Sequence, residues 1–256
     1  MRHKIKFPQI NEDNLEQDEA FFYLNRNNKD EKLLFHDYDT IYNEPNLYEQ
    51  LFYDRLKCSS PQKIVTSLEH TINQNKEHFS ELKILDFGAG NGMVGEQLKK
   101  IGVARLVGVD ILHEAKKALD RDRPGIYDDY YVRDFTELND TDREEIKAWN
   151  LNCLISVAAL GFGDIPPKAF IEALNLISSE AWVAFNIKET FLFNSDISGF
   201  SKLIRELISS GHLFINHLER YRHRISIDGS PLFYFSIVCW KNSDISPDFV
   251  NHIINE

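Results

Sequence analysis

From Leu82 onward, short apolar runs alternate with stretches of helical period. Such alternation restricts a chain to parallel strands joined by crossover helices. The runs predict strands at residues 82–87, 105–109, 127–132, 151–157 and 181–187, with helices near 92–101, 113–120, 141–148, 167–178 and 199–210. The rhythm then changes. Two extended runs, Leu213 to Arg224 and Leu232 to Trp240, are joined by Asp228-Gly229-Ser230-Pro231, and an Asp-Gly pair favours a tight hairpin turn. The expected fold is α/β: a doubly wound, mostly parallel seven-stranded sheet with an antiparallel C-terminal strand pair.

Ahead of this domain, placed at residues 81–256, residues 1–80 read as an N-terminal helical cap or lid. Residues 1 to about 30 are polar and rich in Asn, Asp and Glu, with Phe21-Phe22-Tyr23-Leu24 as one apolar cluster, so this part is expected to be loosely attached and frayed to about residue 12. From Phe35 to about Gln74 the pattern is helical. Ser59 or Ser60 can cap a helix with Pro61 in its first turn, and Ile64, Val65, Leu68 and Ile72 then share one face.

Composition narrows the function. No apolar run approaches the roughly 20 residues that cross a bilayer, and Met1 to Pro8 lacks the continuous apolar stretch of a signal peptide, so a cytoplasmic location without a membrane partner is expected. Cys58, Cys153 and Cys239 match neither a metal spacing nor a disulfide framework, and no metal is expected. A formal charge of -11 opposes the counterion release that nucleic-acid binding requires. Locally, Arg220, Arg222, His223 and Arg224 reverse that sign; they read either as a small anion site or as the solvated basic edge of a late strand.

Chemistry concentrates in Ile84-Leu85-Asp86-Phe87-Gly88-Ala89-Gly90-Asn91-Gly92, a strand ending in an acid and followed by three glycines just before a helix. Glycine permits positive φ and lets a ligand lie against the backbone, while unpaired amides at a helix start attract negative charge. Two more acids end the next two strands: Asp110 and Asp134 follow Asp86 at successive intervals of 24 residues. The carboxyl ends of adjacent strands in a doubly wound sheet share one edge, so the three acids should meet at one crevice, with Asp110 placed to accept from ribose hydroxyls.

Residues 84–188 resemble the cofactor-binding core of the class I S-adenosylmethionine (SAM)-dependent methyltransferases, and the antiparallel finish extends the likeness. Phe35-His36-Asp37-Tyr38-Asp39-Thr40-Ile41-Tyr42-Asn43 is similar to small methyltransferases of the Williams-Beuren-region type. The resemblance implies SAM as cofactor, with Asp86 and the turn Gly88-Ala89-Gly90 at its methionine part, Asp110 on the ribose and Ile111 on adenine. Asp134 would accept from the adenine amino group beside Phe135, Ser156 and Val157 would line the sulfonium end, and Tyr42 would close over the cofactor. Leu112, His113 and Asn43 depart from the family pattern.

Methyl transfer from a sulfonium is an in-line displacement in which alignment supplies much of the acceleration, so a base is needed only if the acceptor must lose a proton. Candidate bases are His36, Asp37, Asp164, Glu189 and His223. Phe191, Phe193 and Phe200 either shape an acceptor pocket or pack a helix onto the sheet. The acceptor is expected to be a small molecule: the segment after the fourth strand lacks the acid-proline-proline-aromatic run of base methyltransferases, because Ile165 separates Asp164 from Pro166-Pro167. Other readings are a non-catalytic SAM-binding protein, a protein methyltransferase and an NAD-dependent oxidoreductase, the last opposed by Met93 where its third glycine would stand.

Overall fold

The computed structural model describes residues 2–9, 19–161, 164–193, 196 and 198–255. Residues 10–12 of the expected frayed start, and Phe162-Gly163 after the fourth predicted strand, lie outside the described residues.

The main sheet has seven strands: β4 (Lys83–Phe87), β5 (Arg105–Asp110), β6 (Asp129–Val132), β7 (Cys153–Ser156), β8 (Ala181–Lys188), β9 (Leu213–Ile225) and β10 (Pro231–Lys241). They lie in the order β6-β5-β4-β7-β8-β10-β9. The first five pair in parallel, and β10 runs antiparallel between β8 and β9. This is the predicted sheet.

Its helices are α4 (Met93–Ile101), α5 (His113–Asp122), α6 (Asp140–Lys147), α7 (Pro167–Leu176) and α8 (Phe200–Ser209), each within two residues of a predicted segment, followed by α9 (Pro247–Asn255). One face buries Leu85, Val107 and Leu154 against Phe170, Leu174 and Leu203 of α7 and α8. The other buries Ile84, Leu106 and Ile155 against Leu98 of α4 and Ile64, Leu68 and Ile72 of α3 (Ser60–Gln74). Both faces are covered, as parallel sheets require, so these strands are nearly continuously apolar. Pro166 and Pro167 open α7 as expected, where a missing N–H costs nothing. Among the described residues, no helix is long and apolar enough to cross a membrane.

Among the described residues of the first eighty, the expected helical cap carries strands as well as helices. Strands β1 (Lys4–Lys6), β2 (Phe21–Arg26) and β3 (Lys29–Leu34) form a separate antiparallel sheet. Its hairpin turns on Asn27 and Asn28, both left-handed at φ 49° and 63°, a conformation asparagine tolerates and a twisted hairpin favours. Phe22 and Leu24 face inward and, with Ile5, Phe35, Ile41, Leu47, Leu51 and Leu56, make the cap its own core. Besides the expected α3, the helical part is short: α1 (Tyr38–Asn43), α2 (Leu47–Glu49) and a π-helical turn over Gln50–Arg55. Ser59 precedes α3 but does not cap it; its hydroxyl donates instead to the Arg222 carbonyl at 3.0 Å.

Candidate functional site

The carboxyl ends of β4, β5 and β7 open onto a cleft of about 320 Å³ beneath the cap. Strand order reverses here, since β4 is flanked by β5 on one side and β7 on the other, and crevices at such points receive ligands.

The floor is the turn after β4, where Gly88, Gly90 and Gly92 all have positive φ. Gly88 and Gly90 also lack room for a side chain: a Cβ on Gly88 would stand 2.7 Å from that of Ala159, and one on Gly90 would overlap the Tyr42 hydroxyl. The turn is held from β5 and β6. The amides of Gly88 and Ala89 donate to the Val109 carbonyl, the Gly90 amide donates to Asp110 Oδ2 at 2.9 Å, and Tyr130 donates its hydroxyl to the Gly90 carbonyl at 2.9 Å. Leu112 N donates to the other Asp110 oxygen at 3.0 Å, leaving each oxygen a lone pair for a ligand. Burial raises the pKa of Asp110 despite these amides.

Nine of the eleven residues expected around a cofactor line the cleft: Tyr42, Gly88, Ala89, Gly90, Asp110, Ile111, Asp134, Phe135 and Val157. Ile111 is 55% exposed at its rim. Phe135 packs on Phe87 with ring centroids 4.8 Å apart, and Asp134 Oδ1 accepts from the Thr136 amide and hydroxyl, which lower its pKa. The remaining two lie behind the wall. Ser156 is buried and donates its hydroxyl to the Phe87 carbonyl at 2.9 Å. Asp86 is sealed under the glycine turn, where Tyr127 donates to Oδ2 at 2.6 Å while Oδ1 is buried without a partner. Burial pushes the Asp86 pKa up to about 7, against the Tyr127 hydrogen bond.

Of the candidate bases, His36 and Asp164 come together in the cleft, with Nδ1 3.1 Å from the carboxylate. Asp37 accepts from the Leu34 amide, Glu189 accepts from Arg220 at 2.7 Å, and His223 lies in a side chamber against Ser60. Burial, reinforced by the neighbouring Arg224, pushes the His223 pKa well down, so it is neutral. Phe191, Phe193 and Phe200 do not line the cleft; Phe200 packs on Phe170 at 6.2 Å. The aromatic wall comes instead from the cap, as Tyr38, Tyr42, Tyr48 and Tyr53.

Two supports were not apparent from the sequence. Ala158, just after β7, has a left-handed φ of 56°, a strained conformation for a residue with a Cβ. Asn186 of β8 accepts its amide proton at 2.6 Å and donates to Tyr221 at 2.8 Å, fixing that turn from the neighbouring strand. Arg123 clamps the cap: its guanidinium donates to Glu49 at 2.7 Å and to Glu96 at 2.8 Å, while Arg121 donates to the Tyr42 carbonyl at 3.0 Å.

No protein-family model matches the chain, and no curated protein matches it in sequence. Its fold is similar to that of a SAM-dependent methyltransferase from Anabaena variabilis ATCC 29413, at 12% identity and a TM-score of 0.54, covering 80% of this chain and 93% of that one. A protein from Thermoplasma acidophilum aligns at 14% identity and a TM-score of 0.51, over 79% of this chain and 98% of that one. Magnesium protoporphyrin IX methyltransferase from Synechocystis PCC 6803, solved with bound SAM, aligns at 11% identity and a TM-score of 0.50, over 71% and 79%. With the strand order, this likeness establishes the class I methyltransferase fold.

Proposed function

We propose that the protein is a SAM-dependent methyltransferase acting on a small-molecule acceptor. The observation that carries this reading is the convergence of Asp110, Asp134 and Asp164 on one glycine-floored cleft, with Asp86 buried beneath the glycines. SAM carries a net positive charge, and its sulfonium supplies an activated methyl group with a ready leaving group. Acidic surroundings suit a cation, and the buried Oδ1 of Asp86, without a partner, marks unmet demand for a donor or positive charge at the methionine end. A dinucleotide would instead lay an anionic pyrophosphate on the glycine turn above Asp86, which disfavours the oxidoreductase reading.

In this reading Asp110 accepts from the ribose hydroxyls, Asp134 from the adenine amino group, Ile111 and Phe135 pack on the adenine, and the Gly88-Ala89-Gly90 backbone holds the methionine part. Tyr42 covers it from the cap, and Val157 faces the reacting end. Asp86 and Ser156 support the turn from behind. His36 is the base: with Nδ1–H directed at Asp164, Nε2 carries the lone pair that takes the acceptor's proton. Held there, SAM would supply its methyl carbon to the acceptor heteroatom, the S–C bond breaking with its electron pair left on sulfur. The finer likeness to Williams-Beuren-region enzymes rests on Phe35–Asn43, the stretch that supplies His36, Tyr38 and Tyr42.

Calorimetric titration with SAM, S-adenosylhomocysteine (SAH) and NADH tests the reading. Saturable binding of the first two, weakened at least tenfold in Asp110→Ala and unchanged in Cys153→Ser, is the expected result. Binding of NADH alone, or equal SAM affinity in Asp110→Ala and the parent, would sink it. Transfer of labelled methyl from SAM to a pool of small acids, phenols and amines then separates a catalyst from a SAM-binding protein without activity.

A further inference from the structure

Beside the cleft lies a smaller chamber of about 50 Å³, which shares His36, Tyr38, Tyr48, Tyr53, Ala158, Ala159 and Asp164 with it. Arg224 lines it and is only 4% exposed. Strand alternation alone would turn this residue outward: Tyr221 is buried, Arg222 exposed and His223 buried. The register with β10 shows why it is not. Leu232 pairs with Arg224 and Phe233 with Arg222, so His223 is an extra residue in β9. Such a bulge re-aims the side chains beside it, and here His223 and Arg224 both face inward. The two sequence readings of this basic run therefore divide. Arg220 is on the solvated edge, paired to Glu189, whereas Arg224 is not.

The Arg224 guanidinium donates from Nη1 to the Ile225 carbonyl at 3.0 Å and lies 5.3 Å from the centre of the Phe35 ring. Among the described residues no carboxylate is within ion-pair reach of it; Asp164, the acid of the chamber, is held by His36. A guanidinium taken out of water without a counter-charge destabilises a fold, and its planar fork matches a carboxylate or phosphate in two parallel hydrogen bonds. His223, neutral, adds no competing charge.

We propose that the methyl acceptor is a small anion whose carboxylate or phosphate is bound by Arg224. The chamber admits the anionic group and little more, so the body of the molecule extends past Tyr38 and Tyr53 into the cleft, carrying its nucleophilic hydroxyl or amine to His36. This rests on the cleft being the cofactor site.

Calorimetry on the SAH-saturated protein with 4-hydroxybenzoate, phenyl phosphate and the neutral 4-hydroxybenzamide reads the proposal directly. At least one anion is expected to bind tenfold or more tightly than the amide, and the better anion identifies the group. Arg224→Met, which keeps length and apolar contact, should lose that preference while SAH affinity stays within threefold. Selectivity in the parent keeps the test meaningful should the variant fold poorly. An amide bound as well as the anions, a preference that survives in a folded Arg224→Met, or no binding of any probe to the SAH-loaded protein would overturn the assignment. Failure of SAH itself to bind would overturn the cofactor reading instead.

Discussion

Nδ1 of His36 lies 3.1 Å from a carboxylate oxygen of Asp164, joining two side chains 128 residues apart at the junction of cleft and side chamber. One comes from the cap and the other from the loop before α7, so the pair forms only when the cap is seated. His36→Asn and Asp164→Asn should each slow methyl transfer by about 10²–10⁴-fold, the usual contribution of a positioned base and its orienting partner. SAH affinity should remain within threefold by calorimetry. Unaltered turnover in both variants would remove the base from the mechanism.

Asp86 makes stability depend on pH in an unusual sense. Its ordinary value of 3.8 rises to about 7 in the fold, so between those values the folded chain holds more protons than the unfolded one. Stability should therefore fall as pH rises through that window, by up to about 4 kcal/mol, and level off above it. Denaturant unfolding at pH 5, 6, 7 and 8 should show this slope in the parent and a shallower one in Asp86→Asn. Binding of the cationic cofactor should favour the ionised carboxylate and release protons at pH 7, measured as a dependence of the binding heat on buffer. No proton release would show that Asp86 does not sense the ligand.

Gly90→Ala and Gly102→Ala separate backbone strain from loss of the cradle. Both glycines have positive φ, but a Cβ at Gly90 would overlap the Tyr42 hydroxyl whereas one at Gly102 meets nothing within 4 Å. Gly102→Ala should cost about 1 kcal/mol in denaturant unfolding and leave SAH affinity intact. Gly90→Ala should weaken SAH at least tenfold as well. Equal effects on binding would mean that the turn after β4 is not the cofactor floor.

Ala158 and Asn186 predict opposite outcomes in one turn. Ala158→Gly relieves a left-handed residue and should be neutral or stabilising by up to about 1 kcal/mol. Asn186→Leu strands the Ala158 amide, while the Tyr221 hydroxyl keeps its hydrogen bond with Ser60, and should cost about 1–3 kcal/mol. Thermal unfolding of both variants checks the pair.

The main sheet was legible because parallel strands covered on both sides are uniformly apolar and their crossover helices keep a helical period, so each element announces itself locally. The acids Asp110 and Asp134 were legible for the same reason, since a strand's end fixes its neighbour's end. The cap was not. Asn27-Asn28 is a usable hairpin signal, but Lys29 to Lys32 of β3 is entirely charged and its partner strand half-buried, which hides the alternation a two-faced sheet would show. Arg224 was illegible in principle. Its inward turn depends on one extra residue at His223, visible only once β9 is registered against β10. Tyr127 and Tyr130, which brace the glycine turn, carry no local mark that distinguishes them from other core aromatics.

The cap's last wall has a consequence for the order in which this chain becomes structured. Ile227 belongs to the core that Phe22, Phe35 and Leu51 build, and the Ile225 amide donates to the Leu56 carbonyl at 2.8 Å. The cap, which precedes the sheet in the chain, thus waits for residues about 170 positions behind it before its apolar interior is closed. Contacts so distant are made late, because closing the intervening loop costs entropy that only a formed sheet can offset. The lid over the cleft is synthesised before the sheet it rests on and settles after it.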